Sequence, residues 1–102
     1  MQPITHADSR RIAVRQATVR MPQHVVFRQF AAETVVLSLD TGMYHGLNPV
    51  GGRMLQVLGE AGRVDAAAVI LANEYGQPLS DIERDLCNFC LDLAERGLIE
   101  LD

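Results

Sequence analysis

The order of the sequence patterns predicts a small α+β domain, similar to a winged helix-turn-helix, in which a three-stranded antiparallel sheet is followed by three helices. Three short runs rich in β-branched and apolar residues lie within residues 24–47, as is typical of strands. From Asn48 onward, apolar residues recur at intervals of three and four, which indicates helices. Asp40-Thr41-Gly42 is a tight-turn signal, so the strands on either side of it are expected to be antiparallel neighbours.

The three strands are predicted at residues 24–30, 34–39 and 43–47. The second contains the run Val35-Val36-Leu37, whose branched side chains suit a pleated sheet. The third runs directly into Asn48-Pro49, a helix N-cap followed by proline at the first helical position, where the missing N–H is not needed. We expect the third strand to keep one unpaired edge, and such an edge can accept a strand from another chain.

The three helices are predicted at residues 48–59, 64–75 and 80–96. Gly76 is suited to end the second helix, because glycine adopts the left-handed conformation of a helix C-terminus. Ser80 and Glu83 form a Ser-x-x-Glu capping box, which is expected to begin the third helix, and Gly97 is expected to end it. A short extended tail follows at residues 98–101.

The third predicted helix is more apolar than a single core requires. A core stripe of about 100° is usual for a helix of a small domain, whereas the apolar arc here spans roughly 200°. The core stripe consists of Ile82, Leu86, Phe89 and Leu93. Cys90 widens this stripe, and the surplus beyond it consists of Cys87, Leu91 and Ala94. Either the sheet or the N-terminal segment covers the surplus, or the surplus lines a groove that a partner completes.

An Arg-rich extension of uncertain structure, residues 1–20, precedes the predicted domain at residues 21–102. Residues 7–20 are compatible with a helix, an added strand or a disordered arm. Five arginines and one aspartate give the first 28 residues a net charge of +4, whereas nine acids and two arginines give residues 65–102 a net charge of −7. Such polarity can orient a partner. No segment is suited to span a membrane or to act as a signal peptide, so we expect a cytoplasmic protein.

The residue types that most often carry chemistry do not form a catalytic or metal-binding pattern. Cys87-x-x-Cys90 lies in the middle of a predicted helix, whereas reactive pairs lie at helix N-termini, so buried, inert thiols are favoured over a redox or metal role. Gly51-Gly52 lacks the Lys-Ser/Thr of a phosphate-binding loop. His45 has no Ser or Cys nearby in the sequence to activate. We therefore expect no catalytic residue, no metal and no cofactor.

The winged-helix order raises nucleic-acid binding as an alternative. The third helix would then enter the groove of the duplex, but it carries Asp81, Glu83, Asp85, Asp92 and Glu95 against two arginines. Because acids repel phosphates, we do not expect a nucleic-acid partner.

Two segments of the sequence resemble the PqqD-like family, whose small peptide-binding domains are called RiPP recognition elements. The segments are VVLSLDTGMYHGLNPVGGRMLQVL and DLCNFCLDLAERGLIEL, and the resemblance covers residues 25–102. It implies a non-catalytic carrier: the leader segment of a ribosomally made precursor peptide adds as a strand to the third strand and lies against the third helix. Carried onto this sequence, the implied peptide-binding residues are Met43, Tyr44, His45, Gly46, Leu47, Asp85, Cys87, Asn88, Leu91, Ala94 and Glu95.

The resemblance also implies partners. Stand-alone members of the family serve lasso peptide maturation, with a leader peptidase and a cyclase, or pyrroloquinoline quinone assembly, with a radical SAM enzyme. The run DTGMYHGLN favours the lasso branch over the quinone branch. A winged-helix regulatory module and a thiol redox helper are the alternatives of another class. A free strand edge beside an apolar helix is compatible with either a monomer or a dimer.

Overall fold

A computed structural model describes residues 13–31 and 33–102 of the chain. The strands are β1 (Val19–Arg20), β2 (Val25–Phe30), β3 (Glu33–Ser38), β4 (Tyr44–Leu47) and β5 (Glu100–Leu101). The helices of the described part are α1 (Pro49–Ala61), α2 (Val64–Tyr75) and α3 (Leu79–Glu95), and residues 13–15 form a further helical turn. The sheet is antiparallel with the order β2-β3-β4, while β1 and β5 form a separate two-stranded ribbon. The predicted α+β class and three-stranded antiparallel sheet are confirmed.

The link from the sheet to the first helix forms as its residues predict. The side-chain oxygen of Asn48 accepts a hydrogen bond of 2.8 Å from the backbone N–H of Gly51, and Pro49 occupies the first helical turn. Gly42, with a φ of +73°, lets the chain reverse between β3 and β4. β4 and α1 are therefore joined without a loop, so the N-terminal end of α1 lies next to the end of β4.

The start of α3 differs from the prediction. The helix begins at Leu79 with Pro78 as its N-cap and has no side-chain cap, so the predicted capping role of Ser80 is wrong. The carbonyl of Pro78 accepts hydrogen bonds from the N–H groups of Asp81 and Ile82, at 3.1 and 3.2 Å. Proline provides this carbonyl from an extended conformation, and Ser80 therefore lies inside the first turn rather than before it.

The described part of the N-terminal segment packs into the same core as the helices. Val14, Ala17 and Val19 are buried. Thr18 and Asp102 exchange two backbone hydrogen bonds of 3.1 and 3.0 Å, which continue the ribbon of β1 and β5. Of the three alternatives for residues 7–20, the structure shows a helical turn and a strand in residues 13–20, and residues 1–12 lie outside the described residues. The division of the chain at residue 21 stays a prediction.

The helices cover one face of the three-stranded sheet. Thr34, Val36 and Ser38 alternate along β3 and are buried beneath them. Gly52 of α1 lies directly on Thr34, since a Cβ at this glycine would overlap the threonine side chain. Val35 and Leu37 lie on the opposite, outer face of the sheet, where they are only half-buried. Within residues 13–31 and 33–102, no helix combines the length and apolar character needed to cross a bilayer.

Candidate functional site

The strand β4 lies at an edge of the sheet. One hydrogen bond shows which of its residues bond β3 and which point their backbone groups outward. Ser38 donates its N–H to the carbonyl of Met43 at 2.9 Å. In an antiparallel pair such bonded positions alternate, so His45 bonds Val36 and Leu47 bonds Thr34. The N–H and C=O groups of Tyr44 and Gly46 therefore point away from β3, toward the open edge. These two residues offer main-chain donors and acceptors to an incoming strand.

The same register sorts the side chains of β4 onto two faces. His45 and Leu47 pair with the buried residues of β3, so they face the helices. Tyr44 lies opposite Leu37 on the outer face, and 72% of it is exposed. An added strand would follow the same alternation, with one set of its side chains toward the helices and the other set on the outer face.

A groove of about 500 Å³ lies between the end of β4, the first turns of α1 and the exposed side of α3. Its lining residues are Gly46, Leu47, Asn48, Val50, Gly51, Met54, Asp85, Asn88, Phe89 and Asp92. The ring of Phe89 lies 3.5 Å from the position that a Cβ at Gly51 would occupy, so the glycine lets the ring approach α1 closely. The groove therefore has an apolar floor beside the open backbone edge.

Polar side chains from α3 form the rim of the groove. Asp85, Asn88 and Asp92 lie along this helix at intervals of three and four, so they share one face. Asp92 accepts a hydrogen bond of 3.2 Å from Arg96, and a guanidinium nitrogen of Arg96 lies 3.5 Å from Nδ1 of His45. This contact joins the end of α3 to β4, which helps to fix the distance between the strand and the helix.

The structure brings some of the predicted site residues together and separates others. Gly46, Leu47, Asp85 and Asn88 line the groove, and Tyr44 and His45 belong to the same edge strand. Met43 lies just before β4 and is 60% exposed. The predicted residues outside the groove lining are Cys87, Leu91, Ala94 and Glu95.

Cys87 lies away from the peptide-binding place that the family resemblance implies for it. It is only 3% exposed and belongs to the core together with Val14 and Ala17. Arg15 of the N-terminal segment lies 3.5 Å from Glu83, one helical turn before Cys87 on the same face of α3. The N-terminal segment therefore lies beside this side of the helix at Glu83, which agrees with the first of the two alternatives for Cys87. Leu91 and Ala94 are half-buried against the same core.

Several groove residues were not singled out from the sequence as site residues. The helical spacing predicts Phe89 in the core stripe of the third helix, whereas its ring is only half-buried and lies at the groove. Val50 and Met54 belong to α1, which forms one wall of the groove. The signal that places them is the loop-free link at Asn48-Pro49, because it keeps the first turns of α1 next to the end of β4.

Both thiols of α3 are buried. Cys90 is completely buried, and neither cysteine forms a disulfide. Burial, with a smaller contribution from nearby Cys87, raises the pKa of Cys90 to about 12. Because the thiolate is the reactive and metal-binding form, burial disfavours that form of Cys90 at neutral pH.

This chain is similar to known proteins in both sequence and structure. The family model for coenzyme PQQ synthesis protein D (PqqD) matches residues 33–99. A structure described as TbiB1 in complex with the TbiA(beta) leader peptide is 34% identical, with a TM-score of 0.74, and covers 79% of this chain and 94% of that chain. A lasso peptide synthetase B1 complexed with the leader peptide is 26% identical, also with a TM-score of 0.74, and covers 82% and 99%. No curated protein matches the chain. The chain belongs to the PqqD family.

Proposed function

We propose that this chain binds the leader segment of a ribosomally synthesised precursor peptide in lasso-type biosynthesis and delivers it to the maturation enzymes. The observation that carries the proposal is the open edge of β4, where Tyr44 and Gly46 present their backbone groups beside an apolar groove. Two similar proteins, TbiB1 and a lasso peptide synthetase B1, have structures with a leader peptide bound.

The physical basis of binding is strand addition. Main-chain hydrogen bonds to Tyr44 and Gly46 would provide affinity for any extended peptide, and the groove would select its inward-facing side chains. β4 has four residues, so the paired part of the peptide spans roughly 13 Å. A groove of about 500 Å³ suits one or two large apolar side chains from the peptide.

Within the site, we propose distinct roles for the strand and the helix. Tyr44 and Gly46 would bond the peptide backbone, while Leu47 and Phe89 would contact its apolar side chains. The rim residues Asp85, Asn88 and Asp92 would contact polar groups at the margin of the peptide. Cys87 would act through the packing of α3 rather than by touching the peptide.

A non-catalytic carrier fits the residues that surround the groove. His45 faces Arg96, and the thiol of Cys90 lies in the core away from the groove, so neither supplies an activated nucleophile there. The partners on this proposal are a leader peptidase and a cyclase, and the alternative within the family is a peptide chaperone for a radical SAM enzyme. We propose the lasso branch because both similar structures carry a leader peptide and one of them is named as a lasso synthetase component.

The test is a titration of the full-length chain into a fluorescently labelled leader of about 20 residues, taken from the precursor encoded beside this chain's gene. Fluorescence anisotropy should give a dissociation constant of about 0.1–10 μM, as is usual for short strand-adding peptides. A leader with the same residues in scrambled order is the control and should bind at least tenfold more weakly. Equal binding of both peptides, or no binding of either, would refute the proposal.

A further inference from the structure

The side chain of Glu33 lies over the backbone of Gly46 on the outer face of the sheet. Glu33 is the first residue of β3, and Gly46 lies diagonally across from it on β4. The position that a Cβ at Gly46 would occupy is only 2.7 Å from Oε1 of Glu33. The missing side chain of Gly46 therefore leaves space at the open edge, and a carboxylate fills it.

An added strand would bring one of its side chains next to this carboxylate. Gly46 directs its N–H and C=O outward, so a peptide residue in register with it would form main-chain hydrogen bonds there. Residues in register on neighbouring strands point to the same face, with Cβ positions about 5 Å apart. The side chain of that peptide residue would therefore project onto the outer face, within reach of the Glu33 carboxylate.

The charge of Glu33 is not balanced near the edge. Val26, Val35 and Leu37, which share the outer face, are half-buried and apolar. Arg28 lies on the neighbouring strand β2, diagonally across from Glu33, but its guanidinium donates a hydrogen bond of 3.0 Å to the carbonyl of Phe27. Within residues 13–31 and 33–102, no ion pair of 4 Å or less includes Glu33. A cationic side chain of the peptide would give this carboxylate an ion-pair partner at the open edge.

We infer that Glu33 is a specificity-determining residue that selects peptides with Arg or Lys at the position in register with Gly46. The inference rests on the proposed function, since it needs a peptide strand on β4. Glu33 is exposed, so its ion pair is screened by water, and the expected preference for a cation over a neutral side chain is about three- to fivefold. Gly46 contributes by leaving the space that the carboxylate occupies.

The test selects peptides without assuming a natural ligand. A phage-displayed library of random 20-residue peptides is selected on the full-length chain, and peptides that also bind the Tyr44→Pro variant are discarded, so that the survivors depend on the β4 edge. The survivors should share Arg or Lys at one position. As synthetic peptides they should bind Glu33→Gln about three- to fivefold more weakly than the native chain, and the difference should shrink in about 0.5 M salt.

Two further variants locate the effect. Glu33→Arg should bind the same peptides at least tenfold more weakly, and should regain affinity when the shared cation is replaced by Glu. Gly46→Ala places a Cβ where the carboxylate lies, so it should lose the cation preference although Glu33 is still present. The role of Glu33 would be refuted, but not the proposed function, by either of two results. One is that the Tyr44-dependent peptides share no cationic position, and the other is that they bind Glu33→Gln as tightly as the native chain. A selection that yields no Tyr44-dependent peptide would overturn the proposed function as well.

Discussion

The two edges of the three-stranded sheet differ in how their backbone groups are occupied. On β2, the N–H of Val25 donates to the carbonyl of Pro22, and the carbonyl of Phe27 accepts from the guanidinium of Arg28. On β4, no other described residue hydrogen-bonds the outward groups of Tyr44 or Gly46. Natural proteins protect edge strands with proline, charge and local bonds, because an open edge invites pairing with other chains. The edge of β4 is therefore the less protected of the two and the better suited to strand addition.

Cavity size does not distinguish the two edges. A groove of about 560 Å³, lined in part by Met21, Phe27, Gln56 and Gly59, lies between β2 and α1, and it is as large as the groove beside β4. The difference lies in the backbone groups: two outward groups of β2 are bonded within the chain, whereas no described residue bonds the outward groups of Tyr44 or Gly46. The two grooves are therefore alike in volume, and they differ in how many of the backbone groups beside them are already bonded.

Proline substitution at the two edges should give the largest difference. Tyr44→Pro removes an outward N–H of β4 and should weaken leader binding at least about 30-fold, since the ring also obstructs the incoming strand. On β2, Gln29 likewise directs its N–H away from β3. Gln29→Pro should therefore change the affinity for the leader by less than twofold, because the leader does not bind this edge. Anisotropy titration measures both, and circular dichroism checks the fold. Equal losses in the two variants would show that the edges do not differ in function.

A third proline variant tests which residues of β4 direct their backbone groups toward the open edge. The N–H of His45 points inward and bonds Val36, so His45→Pro breaks the ladder between β3 and β4. We expect a clear loss of thermal stability in this variant but only a small one in Tyr44→Pro. If the two neighbouring substitutions had the reverse effects on melting temperature, the outward groups would belong to His45 and Leu47 instead.

The sequence predicted the elements that are specified by neighbouring residues. The strand-turn-strand unit, the Asn48 N-cap and the span of α2 follow from patterns within about ten residues, and the structure has them within one or two positions. The pairing of β1 with β5 joins opposite ends of the chain through strands of two residues, which are too short to show periodicity. The groove was harder to predict, because Phe89 has the same helical spacing as the core residues, and its place depends on how closely α1 approaches.

Each of the two grooves contains one phenylalanine, and truncating these two residues should give the next largest difference in leader affinity. Phe89 and Phe27 are both half-buried, so truncation to alanine should reduce the free energy of unfolding by about 2 kcal/mol in each case. Only Phe89→Ala removes the apolar floor beside β4, and it should weaken leader binding about tenfold. Urea unfolding and anisotropy titration separate the two quantities. Loss of affinity in Phe27→Ala as well would indicate that binding depends on overall stability rather than on the β4 groove.

The smallest effect is expected from removing the protection of β2. Arg28→Ala frees the carbonyl of Phe27, which is one of the groups that the arginine keeps from pairing with another chain. The gain is one exposed acceptor, worth about 1 kcal/mol at most, so self-association should increase by up to about fivefold. Sedimentation velocity at several concentrations measures this, with Arg84→Ala on the exposed side of α3 as the control for lost charge. Equal association in both variants would mean that Arg28 acts only through its charge, and protection of β2 would then rest on the local bond of Val25.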